Sequence, residues 1–405
     1  MTDLPRFTGP AAPYAGGDPY ADYRTADFPF TGLPDLADRA LGAGVVAADD
    51  EFFAPRESLL LPGRPVFEPD RFGPKGKIMD GWETRRRRGS ADHPWPRDGD
   101  HDWALVRLGA PGVIHGVVVD TAHFRGNHPE AVSVEGACAD GTPDPGELLG
   151  AGTAWHTLVP RTAVGGHAAN GFAVAVRRRF THLRLRQYPD GGIARLRVHG
   201  EVVPDVDWLT ALGTFDVLAL EHGGRVTGAS DLFYSPAAHT IAPGRSRRMD
   251  DGWETRRRRD RGHDWIGYRL AAHARVHAVE IDTAYLKGNA AGWASLSVLD
   301  AGSTGSAGSA GSVGSVGSVD DEDPGGSGPD LAPGAAGAGA WTQALPRTRL
   351  QPDTVHRFVL PEPVTGTHAR IDIYPDGGIS RLRLFGSLTE RGVRRLRERR
   401  AELGG

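Results

Sequence analysis

The chain has 405 residues, 39% hydrophobic and 8% aromatic, enough to bury more than one core, and this length predicts two domains. A formal net charge of −4 excludes the basic field that nucleic-acid binders use to displace counterions, so no nucleic-acid partner is expected. The lone cysteine, Cys138, excludes an internal disulfide and a cysteine-rich zinc site, and the absence of a long apolar run or a signal-type start predicts a soluble cytoplasmic protein without a membrane partner.

Residues 1–34 read as an N-terminal arm. From there the chain is organised by a duplication, the feature that governs any fold reading. DGWETRRRR stands at 80–88 and again at 251–259. HDW recurs at 101–103 and 263–265, VIHGVVVDTAHFRGN (113–127) faces RVHAVEIDTAYLKGN (275–289), and THLRLRQYPDGGIARLRVHG (181–200) faces THARIDIYPDGGISRLRLFG (367–386). The lead-ins agree as well, EFFAP at 51–55 against DLFYSP at 231–236. Two repeats result, 35–203 and 204–388. The second contains a Gly/Ser-rich insertion at 301–340 that cannot bury enough apolar surface to stay ordered, so a flexible loop is expected there. Residues 389–405 complete the chain as a helical tail.

Within each repeat the reading is mostly strand. Leu183 and Leu185 alternate with His182, Arg184, Arg186 and Tyr188, and Leu196 and Val198 continue inward, which predicts sheets with one apolar and one solvated face. Short strands between Gly/Pro/Asp turns predict an all-β fold with one β-sandwich per repeat. Short helices are expected at 35–41, 206–212 and 391–403. In strand 113–120 the odd positions, His115 among them, are expected to point inward. Asp120 and its counterpart Asp282 then fall off the core face.

The charged loops carry the candidate chemistry. Only Lys75, Lys77 and Lys287 are lysines, so isolated arginines are partly background. The run 85–88 is different, because four adjacent guanidiniums repel and packing needs one or two stems at most. Arginine forks grip carboxylates, and Asp80 and Glu83 are expected to hold them in place, which suggests a small acidic substrate; a solvated charged face is the equal alternative. His101 and Asp102, repeated as His263 and Asp264, stand where a strand emerges and suit acid–base work. Arg195 and Arg381 follow the YPDGG turns and are open to either a structural or a binding role. Trp82, Gly81 and the paired glycines read as packing and turn residues, Asp190 as a turn former, and His115 and His182 as structural. Phosphate-loop, zinc-protease and serine-hydrolase signatures are absent. No cofactor is expected, and a metal requirement is left open.

Together DGWETRRR, HDW, DTAHFRGNHPE and YPDGGIxRLRxxG resemble the allantoicase family, from about Phe52 to Gly386. That resemblance implies two tandem jelly-roll sandwiches of the galactose-binding-like type, and hydrolysis of allantoate to ureidoglycolate and urea in purine breakdown. With that chemistry, catalytic roles are expected for His101, Asp102, Asp120, His263, Asp264 and Asp282. Substrate binding is expected from Glu83, Arg85, Arg87, His123, Asn127 and Arg195, and from Glu254, Arg256, Arg258, Asn289 and Arg381. The hypothesis gives Arg85 or Arg87 the allantoate carboxylate, Asp120 and Asn127 the ureido groups, and His101 with Asp102 the departure of urea or the activation of water. His123 becomes Tyr285 and Arg125 becomes Lys287 in the second copy, so the two copies are not equivalent. The rival reading is a non-enzymatic ligand or protein-interaction module on the same scaffold, which favours exposed aromatic platforms over charge. A homo-oligomer is compatible with either.

Overall fold

The structure is a computed structural model that describes residues 6–10, 28–301 and 341–404. Most of the expected arm, and the expected loop 301–340 beyond Ala301, lie outside the described residues. Two compact units form, Met1–Pro204 with Arg399–Gly405, and Asp205–Glu398.

The first unit contains β1 (Gly44–Ala48), β2 (Trp82–Glu83), β3 (Asp102–Asp120), β4 (Ala131–Ala137) and β5 (His156–Ala163). It continues with β6 (Ala168–Ala173), β7 (Arg179–Tyr188), β8 (Gly192–Ile193) and β9 (Arg195–Val202). The 19-residue β3 serves both layers of a sandwich. Its first part lies between β1 and β7, with β4 and β5 beyond, all antiparallel. Its second part lies between β9 and β6. The chain changes layer around Gly109–Pro111–Gly112. A Cβ on Gly112 would sit 2.1 Å from the Glu201 carbonyl oxygen, so only glycine lets the neighbouring strand pass that close.

Leu183, Leu185, Leu196 and Val198 are fully buried, as their alternation predicts, and close the core with Trp82, Val106 and Val117. Two expectations change. A register shift in the β3–β9 ladder, between His199↔Gly116 and Gly200↔Ile114, puts Ile114 in the core and leaves His115 half-buried against Arg177. The bulge resets the parity that the sequence pattern extrapolates. The polar face of β7 is also not open to solvent. His182 is buried, and Arg184 bonds Glu135 at 2.8 Å while lying over the Trp155 ring.

The second unit repeats the plan with β10 (Phe215–Asp216), β11 (Arg225–Ala229), β12 (Trp253–Glu254), β13 (Asp264–Asp282) and β14 (Trp293–Leu299). β15 (Trp341–Arg349), β16 (Val355–Tyr374), β17 (Gly378–Ile379) and β18 (Arg381–Leu388) complete it. Here β16 runs unbroken along β13, where the first unit uses β6 and β7. Its core gathers Trp253, Ile266, Ile281, Ile371, Leu382 and Leu384.

Helices are few: α1 (Pro145–Leu149), α2 (Val206–Leu212) and α3 (Glu390–Glu402). The expected helix at 35–41 reduces to a single 3-10 turn, Arg39–Leu41, because the Asp35 carboxylate instead accepts the Val198 and Ala37 N–H groups. α1 was not expected, although Asp144 and Glu147 form a capping box around Pro145. Among the described residues no helix is long and apolar enough to cross a membrane.

Candidate active site

The minor strands assemble the site. β2 pairs with β8 and β12 with β17, each through two residues, and these pairings join DGWETRRRR to YPDGG within its own repeat. Trp82 and Trp253 are fully buried plugs, each donating its indole N–H to a carbonyl of the preceding loop, Asp50 and Asp231. They fix where the following arginines leave the core.

In the first repeat the arginines meet four aspartates. Arg85 Nε donates to Asp50 Oδ2 at 2.6 Å and its backbone N–H to Asp50 Oδ1 at 3.0 Å. Arg87 donates through Nε to Asp102 Oδ1 at 2.7 Å and through Nη2 to Asp49 Oδ2 at 3.2 Å, while its backbone N–H goes to Asp190 Oδ2 at 2.7 Å. These side chains and Arg86 line a cleft of about 410 Å³ formed by Asp49, Asp50, Arg85, Arg86, Arg87 and Asp102. Burial raises the carboxyls of Asp49, Glu83 and Asp190 above the usual range. Burial opposes ionisation of Asp50 as well, but the Phe52 and Arg85 donors outweigh it and hold that carboxyl low.

Asp102 is only 3% exposed, and its Oδ2 has no hydrogen-bond partner among the described residues. Asp264 Oδ2 is in the same condition in the second repeat. There Arg256 bonds Asp231 at 2.7 Å, and Arg258 bonds Asp264 Oδ1 at 3.0 Å and Asp260 at 2.9 Å, with its N–H on Asp376. Ser230 occupies the place of Asp49 and donates its hydroxyl to Asp264 Oδ1 at 2.9 Å.

Other expected residues lie in different surroundings. Glu83 accepts from Asn127 Nδ2 at 2.8 Å, whereas Asn289 turns to Met249 Sδ and Glu254 receives no such bond from it among the described residues. His101 does not share a partner with Asp102. Its Nδ1 lies 2.8 Å from the Gly99 oxygen and its ring 5.3 Å from the Tyr188 ring. His263 differs again, with Nε2 3.0 Å from Asp372 Oδ1 and its ring on Tyr374.

Asp120 and Asp282 leave the main core as parity predicts, but they are buried. In the first repeat Met79, Ala122, Phe124 and Ala194 cover that end of the sheet, and Asp120 Oδ1 accepts the Ala122 N–H at 2.8 Å. The same turn recurs at Asp282 and Ala284. Arg195 is buried and bonds Asp80 at 2.8 Å and the Gly63 and Ala194 carbonyls; Arg381 repeats this with Asp251, Gly244 and Ser380. Asp80 therefore holds Arg195, and Glu83 holds Asn127. Neither bonds the arginine run: Asp49, Asp50, Asp102 and Asp190 hold Arg85 and Arg87 instead, and Glu83 meets the run only through the charge of Arg86. His123 has φ +69, stacks on Phe67 and takes the His167 ring nitrogen on its N–H, while Tyr285, with φ +67, bonds Asp353 in the same way.

Sequence reasoning passed over Asp49, Asp50, Arg86, Gln187 and the role of Asp190. Gln187 is fully buried beside Asp102, sends its amide to Thr84 and the Gly191 oxygen, and becomes Ile373 in the second copy. One signal was available: structurally Asp231 matches Asp50, one residue before the lead-in that the sequence match aligned. Exposed aromatics also border the arginines, Phe52 under Arg85 at 5.4 Å and Phe233 under Arg256 at 5.3 Å. Among the described residues no three His, Cys, Asp or Glu side chains group as ligands for a metal ion.

Comparison with known proteins agrees with the duplication. The family described as Allantoicase repeat matches residues 34–203 and 215–389. A probable allantoicase of Streptomyces avermitilis is 67% identical over 401 residues, covering 99% of this chain and 97% of the relative. Another, of Streptomyces coelicolor, is 66% identical and covers 100% and 98%. The crystal structure of allantoicase from Saccharomyces cerevisiae superposes with a TM-score of 0.63 at 26% identity, over 87% of this chain and 93% of that one.

Proposed function

This chain belongs to the allantoicase family, and from that membership we infer that it is a hydrolase converting allantoate to ureidoglycolate and urea in purine breakdown. Allantoate carries two ureido arms on one carbon beside its carboxylate. Water supplies oxygen to that carbon, the bond to one ureido nitrogen breaks, and the nitrogen leaves as urea after gaining a proton. A base for water and an acid for urea are the minimum requirement.

Asp102 suits the base. Arg87 pairs with its Oδ1 at 2.6 Å, and its buried Oδ2 is left without a hydrogen-bond partner among the described residues, the atom that would take a proton from water when substrate opens the site. Glu83, outside the cleft lining but within the field of its Arg86, suits the acid, since burial favours its protonated form and the Asn127 amide orients it. Asp264 and Glu254 stand in the same sequence positions of the second repeat. No proton is routed through His101, whose contacts lead to Tyr188 and Gly99. The observation that carries these roles is the buried, half-satisfied aspartate beneath an arginine, present in both copies. A cytoplasmic location fits the single exposed thiol, Cys138.

Purified protein is to be incubated with allantoate, with and without a chelator, and urea assayed. Urea release is expected, and Asp102→Asn is expected to lower turnover by about 10²- to 10⁴-fold. Near wild-type turnover in that variant removes Asp102 from the reaction; loss of activity with chelator adds a metal to it.

A further inference from the structure

The three arginines of the cleft are not equivalent. Its lining holds three aspartates and three arginines, so the question is which positive charge is left for a ligand. Arg85 is tied to Asp50 through both side chain and backbone. Arg87 is tied to Asp49, Asp102 and Asp190. Arg86 has no side-chain hydrogen bond and no ion pair among the described residues, is exposed, and still lines the cleft. Glu83 and Asp190 are the acidic groups that feel its charge.

The second repeat reproduces the pattern with different partners. Arg256 is held by Asp231 and Arg258 by Asp264 and Asp260, while Arg257 between them is exposed and has no such partner among the described residues. Alternation along an extended segment explains it: the outer two arginines reach aspartates, Asp49, Asp50 and Asp102 in the first repeat and Asp231, Asp260 and Asp264 in the second, and the middle one is turned away from those carboxylates. A guanidinium grips a carboxylate best when a whole N–H edge is free and its charge is not already matched.

We propose that Arg86, with Arg257 as its counterpart, is the residue that binds the substrate carboxylate, and that Arg85 and Arg87 are positioning residues. This rests on the allantoate reading above. The flanking arginines shape the aspartates, and the middle one selects for an anionic substrate.

The test uses the full chain carrying Arg86→Gln, Arg257→Gln, both together, and Arg88→Gln as another exposed arginine, outside the cleft lining. Steady-state urea release from allantoate is measured with melting temperature for each. Arg86→Gln or the double variant is expected to raise KM about 10- to 100-fold with little change in kcat, with partial recovery in Arg86→Lys. Arg88→Gln should match wild type. An unchanged KM in the double variant, or a fall in kcat alone, overturns the inference while leaving the family activity standing. Wild-type protein that releases no urea overturns both.

Discussion

Buried histidines show how a single side chain reads out pH. His182 and His368 occupy matching strand positions, and burial pushes both down to about 4 from an ordinary 6.5. Between those values the unfolded chain binds protons that the folded chain does not. Stability therefore rises with pH across this window and is lost as pH falls from 6.5 towards 4. The slope is expected to reach at most about 1.4 kcal/mol per pH unit for each histidine, so the loss of stability from pH 7 to pH 5 in denaturant melts should be about 2 kcal/mol smaller in His182→Gln than in wild type. His101 provides a contrast. Its ring faces Tyr188 and not the cleft aspartate, so His101→Ala should retain turnover within about threefold, read as urea release; a loss of orders of magnitude returns it to the chemistry. Both histidines are plain in the sequence, yet nothing in HDW says which side of the strand each residue meets.

At the scale of elements, the two-residue ladders between β2 and β8 and between β12 and β17 are what place the chemistry. Gly192 makes the first possible: a Cβ there would come 2.0 Å from the Phe124 ring, while its N–H bonds the Asn127 carbonyl at 2.7 Å. Gly192→Ala should destabilise the fold by about 1–3 kcal/mol and lower activity together with it, because Asn127 and Glu83 shift with the ladder; melting temperature and urea release check this jointly. The arginine segment behaves differently. Arg87→Gln leaves Asp49 and Asp102 without their partner, and a loss of about 1–3 kcal/mol in denaturant unfolding is expected, whereas Arg86→Gln at the exposed middle position should cost nearly nothing. Strand alternation in β7 and β9 was legible from Leu183, Leu185, Leu196 and Val198. The β3 bulge was not, since a ladder shift depends on the partner strand.

Across the whole molecule, the two repeats keep one scaffold and diverge around the cleft aspartate, with Asp49 against Ser230 and Gln187 against Ile373. The last residues belong to the first unit, where Arg399 pairs with Glu201, Arg400 with Asp140, and the Leu403 carbonyl accepts the Arg179 N–H. Ending the chain at Glu398 should therefore lower the melting temperature of the first unit selectively; equal melting of truncated and full-length protein would contradict that assignment. What the sequence determined by itself was the duplication, the strand periodicity and the family, because identical motifs and alternating apolar residues are one-dimensional facts. Only the tertiary structure decided the occupancy of each charge. Arg195 and Arg381 resemble the cleft arginines in sequence yet are buried against Asp80 and Asp251, and Asp120 lies under the Phe124 loop. Arg86 is left uncommitted because its neighbours meet Asp49, Asp50 and Asp102, residues brought to them by folding and not by nearness in the chain.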